Sequence, residues 1–285
     1  MQKNEQAFNE RQSMKNDLFE IFHYRDQKPV KVRPHAHNFY EIYFFLSGEV
    51  TFNVEGQQYP LQPGELLLIN PMELHQVQVA RNALYDRIVL WINCDYLDAL
   101  GGEAVNLAAC FDSTRPEHRN LLHLDHVQQN FLLTLLERLN EESYGKHLGS
   151  AVYAETLLIQ LLLEINRLIG QTPVSGAENL KNDLIGQVIL YIGDHFVDPL
   201  TLEDLAARFY ISKSRLSHKF QQQVGTSIYQ YILFRRLTQA RELLRQGNVP
   251  GEVYQRCGFR DYSNFYRAFR HEYGVAPQEF VRAKL

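Results

Sequence analysis

TLEDLAARFYISKSRLSHKFQQQVGTS, residues 201–227, and VPGEVYQRCGFRDYSNFYRAFRHEYGVAP, residues 249–277, decide how this chain is organised. Each reads as a short apolar helix, a break, and a second helix opened by a polar residue. Thr201 and Asp204 have the spacing of a capping box, in which each side chain satisfies a free backbone N–H of the other's turn. Ser212 and Asp261 are positioned to cap the second helix of each copy. Behind those caps Leu216 and Phe220, and Phe265 and Phe269, recur four apart and mark one buried face per helix. Gly225 and Gly274 then stop the helices, since glycine takes a positive φ without a Cβ penalty.

The opposite faces are polar. The first carries Ser214, Arg215, Ser217 and His218; the second carries Tyr262, Ser263, Asn264, Tyr266 and Arg267. Side chains of this kind hydrogen-bond to base edges, and Lys213, Lys219 and Arg270 flank them as candidate phosphate contacts. Between the copies YQYILFRRLTQARELLRQ predicts one rigid helix. Such a helix can present two reading heads to successive major grooves, about 34 Å apart on one side of a duplex.

Residues 201–277 resemble the DNA-binding domain of AraC/XylS-type transcription regulators. The likeness rests on Leu205-Ala206, Ser212, Leu216, Phe220, Gly225, Tyr231, Arg236-Leu237, Ala240, Leu243-Leu244, Gly258-Phe259, Phe265, Phe269, Gly274 and Pro277. It implies a sequence-specific regulator, by family habit an activator, that binds double-stranded promoter half-sites and works with RNA polymerase. One departure is Val253-Tyr254, where the family usually has Ile-Ala; the bulkier Tyr254 predicts altered packing in the second module.

Outward from this stretch, 285 residues suggest two domains. Net charge is −4 overall, yet residues 1–180 hold 14 Lys+Arg and 23 Asp+Glu, a net of −9, while residues 181–285 hold 15 and 10, a net of +5. A basic C-terminal third on an acidic body suits a polyanion reader with a separate sensing domain. No 18-residue apolar run and no signal-peptide core occur, so no membrane partner is expected. Cys94, Cys110 and Cys257 show no paired spacing, which fits a reduced, cytoplasmic protein.

From Phe19 to Cys94 the pattern is β. FEIFHY, EIYFFLSG, EVTFNV, ELLLIN and RIVLWIN alternate with turn residues, predicting a sandwich or small barrel. Within it lies His35-x-His37-x₃-Glu41, and strand alternation places 35, 37, 41 and 43 on one face. With the later PGELLLINPMELH segment, which adds His75, this resembles the motifs of cupin barrels and the effector domain of AraC-type regulators. The second motif departs from the metal-binding cupins, with Glu73 where Gly is usual and His75 one residue early. Three readings stay open: a pocket for a sugar or other polar ligand, a metal centre, and residues that merely satisfy one another. The effector-pocket set is Tyr24, Arg33, His35, His37, Glu41, Tyr43, His75 and Trp91, the aromatics serving as apolar walls. No cofactor or metal is assigned; a bound metal would use His35, His37, Glu41 and His75.

From Asp125 the period becomes helical. HVQQNFLLTLLERLNEES and SAVYAETLLIQLLLEINRLIG form two helices, the second apolar on more than one face, which points Leu157, Leu161 and Leu168 at a homodimer contact. The expected architecture is a multidomain α and β chain: a flexible arm over 1–18, a cupin-like barrel over 19–110, dimerisation helices over 111–170, a linker over 171–180, and an all-α tandem helix-turn-helix domain over 181–285. The resulting function is a non-enzymatic transcription regulator whose N-terminal domain senses a small molecule, by resemblance a sugar. The alternative is a metal-dependent cupin dioxygenase or isomerase fused to a DNA-binding domain.

Overall fold

Strand alternation builds the N-terminal unit. The computed structural model describes residues 5–6, 13–27, 32, 34–71, 73–80, 84–101, 105–112, 119–171 and 184–282. Strand β2 (Phe19–Asp26) pairs antiparallel with β8 (Tyr85–Asn93), which pairs on its other side with β3 (Phe39–Ser47). β6 (Leu66–Ile69) and β9 (Leu121–Leu122) continue the sheet, and β1 (Glu5–Gln6) adds a short parallel edge beside His23 and Tyr24. A second sheet has the order β5 (Gln57–Pro60), β4 (Val50–Val54), β7 (His75–Val79).

Because successive side chains point to opposite faces, the large sheet serves two cores. Phe39, Tyr43, Phe45, Val89 and Trp91 pack with Phe52, Val54 and Val77 of the smaller sheet. Ile42, Phe44, Ile88, Leu90 and Ile92 pack outward against helices. The expected barrel is thus realised as two sheets enclosing a core; among the described strands no single hydrogen-bonded cylinder closes.

The outer core is covered by α1 (Cys94–Gly101), a 3-10 turn over Leu107–Phe111, α2 (His126–Tyr144) and α3 (Ser150–Gln171). Asp125 and Gln128 form a capping box at the start of α2. On α3 the buried residues Ala154, Leu157, Leu158, Leu161, Leu162, Ile165 and Ile169 follow helical spacing and face this one core. That corrects the expected dimer contact: Leu157 and Leu161 are buried within their own chain, Leu161 completely, and half-buried Leu168 packs at the edge of the same core. The excess greasiness of α3 is absorbed by α2 and the Leu107–Phe111 turn within that one core.

Of the 1–18 arm, Glu5–Gln6 are paired to β2, Met14 packs against the inner core, and the Glu20 carboxylate accepts from the backbone N–H of Lys15 and Asn16. These contacts tie down the described part of an arm expected to be flexible. Most of the 171–180 linker lies outside the described residues.

The second compact unit has its body in residues 179–285. It comprises α4 (Leu184–His195), α5 (Leu202–Arg208), α6 (Lys213–Val224), α7 (Ile228–Arg245), α8 (Pro250–Arg256), α9 (Tyr262–Tyr273) and α10 (Pro277–Arg282). Local chemistry sets its boundaries. The Thr201–Asp204 capping box opens α5, Ser212 accepts from the N–H of Arg215, and Asp261 accepts from that of Asn264. Gly225 and Gly274 close α6 and α9 with left-handed φ of 82° and 75°. Arg236 on α7 donates to the carbonyls of Phe196 and Asp198 at 2.7 Å each, pinning the turn after α4.

Candidate nucleic-acid interface and effector pocket

In α6, Leu216, Phe220 and Val224 are buried, and that anchoring turns the other face outward. Lys213, Ser214, Arg215 and His218 are exposed there, with Ser217 and Lys219 half-buried. Lys213 Nζ lies 2.6 Å from the Glu203 carboxylate, so one candidate phosphate contact already has an anionic neighbour.

In α9, Phe265 and Phe269 are wholly buried in a core with Leu237, Ala240, Leu244, Val253 and Cys257. Ser263, Asn264, Arg267 and Arg270 are exposed, and Tyr262 and Tyr266 half-buried. A side-chain relay organises this surface: Asn264 donates to Asp261 at 2.5 Å, and Arg267 Nη2 donates to the Asn264 amide oxygen at 2.6 Å. The cap that starts the helix therefore also aims its arginine. Tyr254 is accommodated at the module's edge, its ring edge-on to Tyr262 at 5.9 Å, while Val253 alone fills the core. Tyr262 consequently doubles as a packing residue.

Inside the N-terminal unit His37, Glu41 and His75 converge. They are 1%, 6% and 2% exposed, and one potential ligand atom from each lies within 4.8 Å of the other two. Glu41 lies on β3 and His75 opens β7. His35 and His75 exchange backbone hydrogen bonds at 3.0 and 2.8 Å, which brings the two sequence motifs together. His37 Nδ1 donates to the Phe39 carbonyl, and His37 Nε2 lies 3.0 Å from Glu41 Oε2. The same carboxylate oxygen accepts the Trp91 indole N–H at 2.9 Å. Burial, and then the neighbouring His35 and His37 imidazoles, hold the His75 pKa well below its ordinary value, so His75 is neutral.

His35 is half-buried beside His75, with ring centroids 4.2 Å apart, but stands outside the three-residue cluster. Trp91 packs against Phe22 and Phe39. Tyr24 stacks on Phe22, and Tyr43 donates to the Tyr85 hydroxyl at 2.5 Å. Arg33 lies outside the described residues.

Sequence reasoning overlooked three contributors. Phe39 stacks on the His37 ring at 3.8 Å. Tyr85, whose phenol is pushed up to about 12 mainly by burial, partners Tyr43. Arg87, buried, lies over the Tyr24 and Tyr85 rings and pairs with Asp26. The signal was present: Tyr85 and Arg87 share the parity of Trp91 on β8, so the alternation that selects one selects all three.

Residues 19–162 match the model of the AraC-like ligand binding domain, and residues 205–283 match a helix-turn-helix domain. The chain is 27% identical over 255 residues to the HTH-type transcriptional activator RhaS of Escherichia coli, covering 88% of this chain and 87% of that protein. Among solved structures, ToxT from Vibrio cholerae aligns over 93% of this chain and 98% of its own, at 13% identity with a TM-score of 0.40. The C-terminal domain of AraT, a response regulator from Geobacillus stearothermophilus, aligns over 36% and 86%, at 29% identity with a TM-score of 0.35.

Proposed function

The chain belongs to the AraC-like family of DNA-binding transcription regulators, and from that premise we propose that it is an activator whose N-terminal pocket senses a small polar effector of the sugar class. The observation that carries the DNA-binding half is the pair of exposed polar faces on α6 and α9, each held outward by a buried apolar face and fixed ends. Arg215 and Arg267 act as base readers in the major groove, Lys219 and Arg270 as phosphate contacts. Tyr262, Ser263, Asn264, Tyr266, Ser214, Ser217 and His218 supply the remaining polar contacts, with Lys213 contributing least because Glu203 already neutralises it. The relative named above is a transcriptional activator, and the enzyme reading is set aside.

Support for a sugar comes from the inner core's composition. Aromatic rings of Trp91, Phe39, Tyr43 and Tyr24 stand beside the hydrogen-bonding groups of His37, Glu41 and His75. Polyhydroxylated rings are held by that combination of an apolar platform and a few fixed polar atoms. The arm, through Met14 and Glu5–Gln6, borders the same unit and serves as the element whose position the effector biases; differential affinity for two arm positions is what a response requires. We place the protein in the cytoplasm as a homodimer that contacts RNA polymerase. Any dimer contact on the helical layer uses exposed side chains such as Val152 and Tyr153 rather than the buried leucines.

The test is in vitro selection of bound duplexes followed by footprinting, with and without a panel of sugars. A defined site spanning two major-groove segments, whose occupancy changes with one sugar, is the expected result. Binding without sequence preference would overturn the regulator reading, and a site insensitive to every sugar would overturn the effector class.

A further inference from the structure

We infer that the inner core of the N-terminal unit is a binding site for a divalent transition-metal ion, held by His37 Nε2, His75 Nε2 and the Glu41 carboxylate. The inference is independent of the DNA-binding reading and adds an ion to the effector pocket.

Backbone carbonyls fix the proton positions on both rings. His37 Nδ1 is 2.9 Å from the Phe39 carbonyl oxygen and His75 Nδ1 is 2.9 Å from the Glu73 carbonyl oxygen. A carbonyl oxygen only accepts, so both Nδ1 atoms carry the proton. In a neutral ring the ligating lone pair is then the one on Nε2. Both Nε2 atoms point into the same buried space as the Glu41 carboxylate, all three within 4.8 Å of one another. His37 Nε2 and Glu41 Oε2 are 3.0 Å apart, and buried His75 Nε2 has no hydrogen-bond partner. Three potential ligand atoms thus converge in a buried site, and the one on His75 is unsatisfied. A cation at their centre satisfies that nitrogen and neutralises the buried carboxylate.

The surroundings fit that ion. Metal-ligating histidines characteristically donate the second ring N–H to a backbone carbonyl, which fixes tautomer and ring orientation. Trp91 Nε1 performs the equivalent service for Glu41 at 2.9 Å. Two imidazoles and one carboxylate select a divalent ion of the zinc, iron, nickel or cobalt class over magnesium or calcium. Ligand atoms around a four-coordinate ion stand about 3.3 Å apart. The widest pair closes by about 1.5 Å at most, a change within reach of side-chain torsions. Three protein ligands leave coordination positions open to an oxygen donor of an effector.

The competing arrangement is a His37 imidazolium paired with the Glu41 carboxylate and no ion. Full-length protein, stripped with chelator and dialysed, is titrated with Co(II), following visible d–d absorption and bound metal by elemental analysis. One equivalent per chain with d–d bands is expected. It should be lost in His75→Gln and Glu41→Gln and retained in His35→Ala, which alters a histidine outside the cluster. Trp91 fluorescence melts verify folding of each variant. In the wild-type chain, long-range ¹H–¹⁵N spectra provide a second reading that needs no variant: both histidines should show Nδ1–H tautomers, with their Nε2 resonances shifting on addition of Zn(II). An apo spectrum with His37 doubly protonated and no uptake of Co(II) or Zn(II) overturns the inference. So does full uptake in folded His75→Gln and Glu41→Gln.

Discussion

Replacing Gly258 by alanine should destabilise the helical unit far more than its one added methyl suggests. The two short helices α5 and α8 end alike. Ile211 N–H bonds the Ala206 carbonyl and Phe259 N–H bonds the Tyr254 carbonyl, each at 3.0 Å, around a residue with positive φ. That residue is Tyr210 (φ 52°) in the first module and Gly258 (φ 78°) in the second. Left-handed backbone costs a non-glycine residue about 1–2 kcal/mol. At 258 there is a further obstacle: a Cβ would lie 2.4 Å from the Val197 carbonyl oxygen and 2.8 Å from its Cα. That turn cannot simply retreat, because Arg236 grips the carbonyls on either side, Phe196 and Asp198. A hydrogen bond to a charged group contributes about 1.5–3 kcal/mol, so loosening even one adds to the conformational cost. We expect Gly258→Ala to lose about 3 kcal/mol, a large share of a domain's stability. Tyr210→Gly is the converse. Tyr210 is almost fully exposed, so relief of the backbone is largely offset by glycine's greater unfolded-state entropy, and the change should lie within about 1 kcal/mol of neutral. Urea unfolding of the full chain separates the units. The lone Trp91 reports on the N-terminal one by fluorescence, and circular dichroism at the helical band reports on both. A Gly258→Ala helical transition displaced by less than about 1 kcal/mol, or a Trp91 transition displaced just as much, would refute this account of the turn.

Other consequences are open to direct measurement. Arg267→Ala should cost about 1–3 kcal/mol at particular base pairs of a selected site, whereas Lys219→Ala should weaken all sequences alike and flatten the salt dependence; equal weakening by both would remove Arg267 from the base readers. Leu161→Glu puts a charge where the side chain is completely buried. It should lower N-terminal stability by about 3 kcal/mol or more, seen as an early Trp91 transition; a folded monomer in sedimentation would restore Leu161 to the dimer contact. His75, held well below its ordinary value of 6.5, binds its proton more readily unfolded than folded. Its contribution to stability is therefore complete above about pH 6.5 and declines as pH falls below it. In chelated protein His75→Gln should shrink the acid-side slope of N-terminal stability, and an unchanged slope would contradict a buried neutral imidazole.

How much of this was legible in the sequence follows from the range of each interaction. The helix-turn-helix boundaries were readable because Thr201, Ser212, Asp261, Gly225 and Gly274 act on backbone within a few residues of themselves. The partnership of His75 with His37 and Glu41 was readable only as a motif. What joins them is the backbone bridge between His35 and His75, forty residues apart and invisible to any local pattern. His35 and His37 both precede β3, so strand parity governs neither side chain; His37 joins the cluster and His35 stands beside it. For α3, hydrophobicity shows how much surface must be buried but carries no label for what buries it. α2 and the Leu107–Phe111 turn cover the face that a partner subunit was expected to take.

The clearest link between the fold and the buried polar cluster is the register of one strand pair. Glu41 on β3 stands opposite Trp91 on β8, and the two side chains meet through the indole N–H to Oε2 bond. The same register carries Ile42 opposite Leu90 and Phe44 opposite Ile88 into the helix-covered core. A one-residue slip of β3 would bury Glu41 among those aliphatic side chains and turn Ile42 inward. Burying an unpaired carboxylate in an aliphatic core costs several kcal/mol. These buried polar residues therefore help to specify the sheet that positions them. Glu41→Leu, by removing the penalty on the slipped register, should loosen strand pairing at β3–β8 even if it raises global stability. Amide exchange along β8 tests this. Faster exchange at Trp91 and its neighbours in a chain no less stable overall is expected, and unchanged protection would show that the aliphatic face alone sets the register.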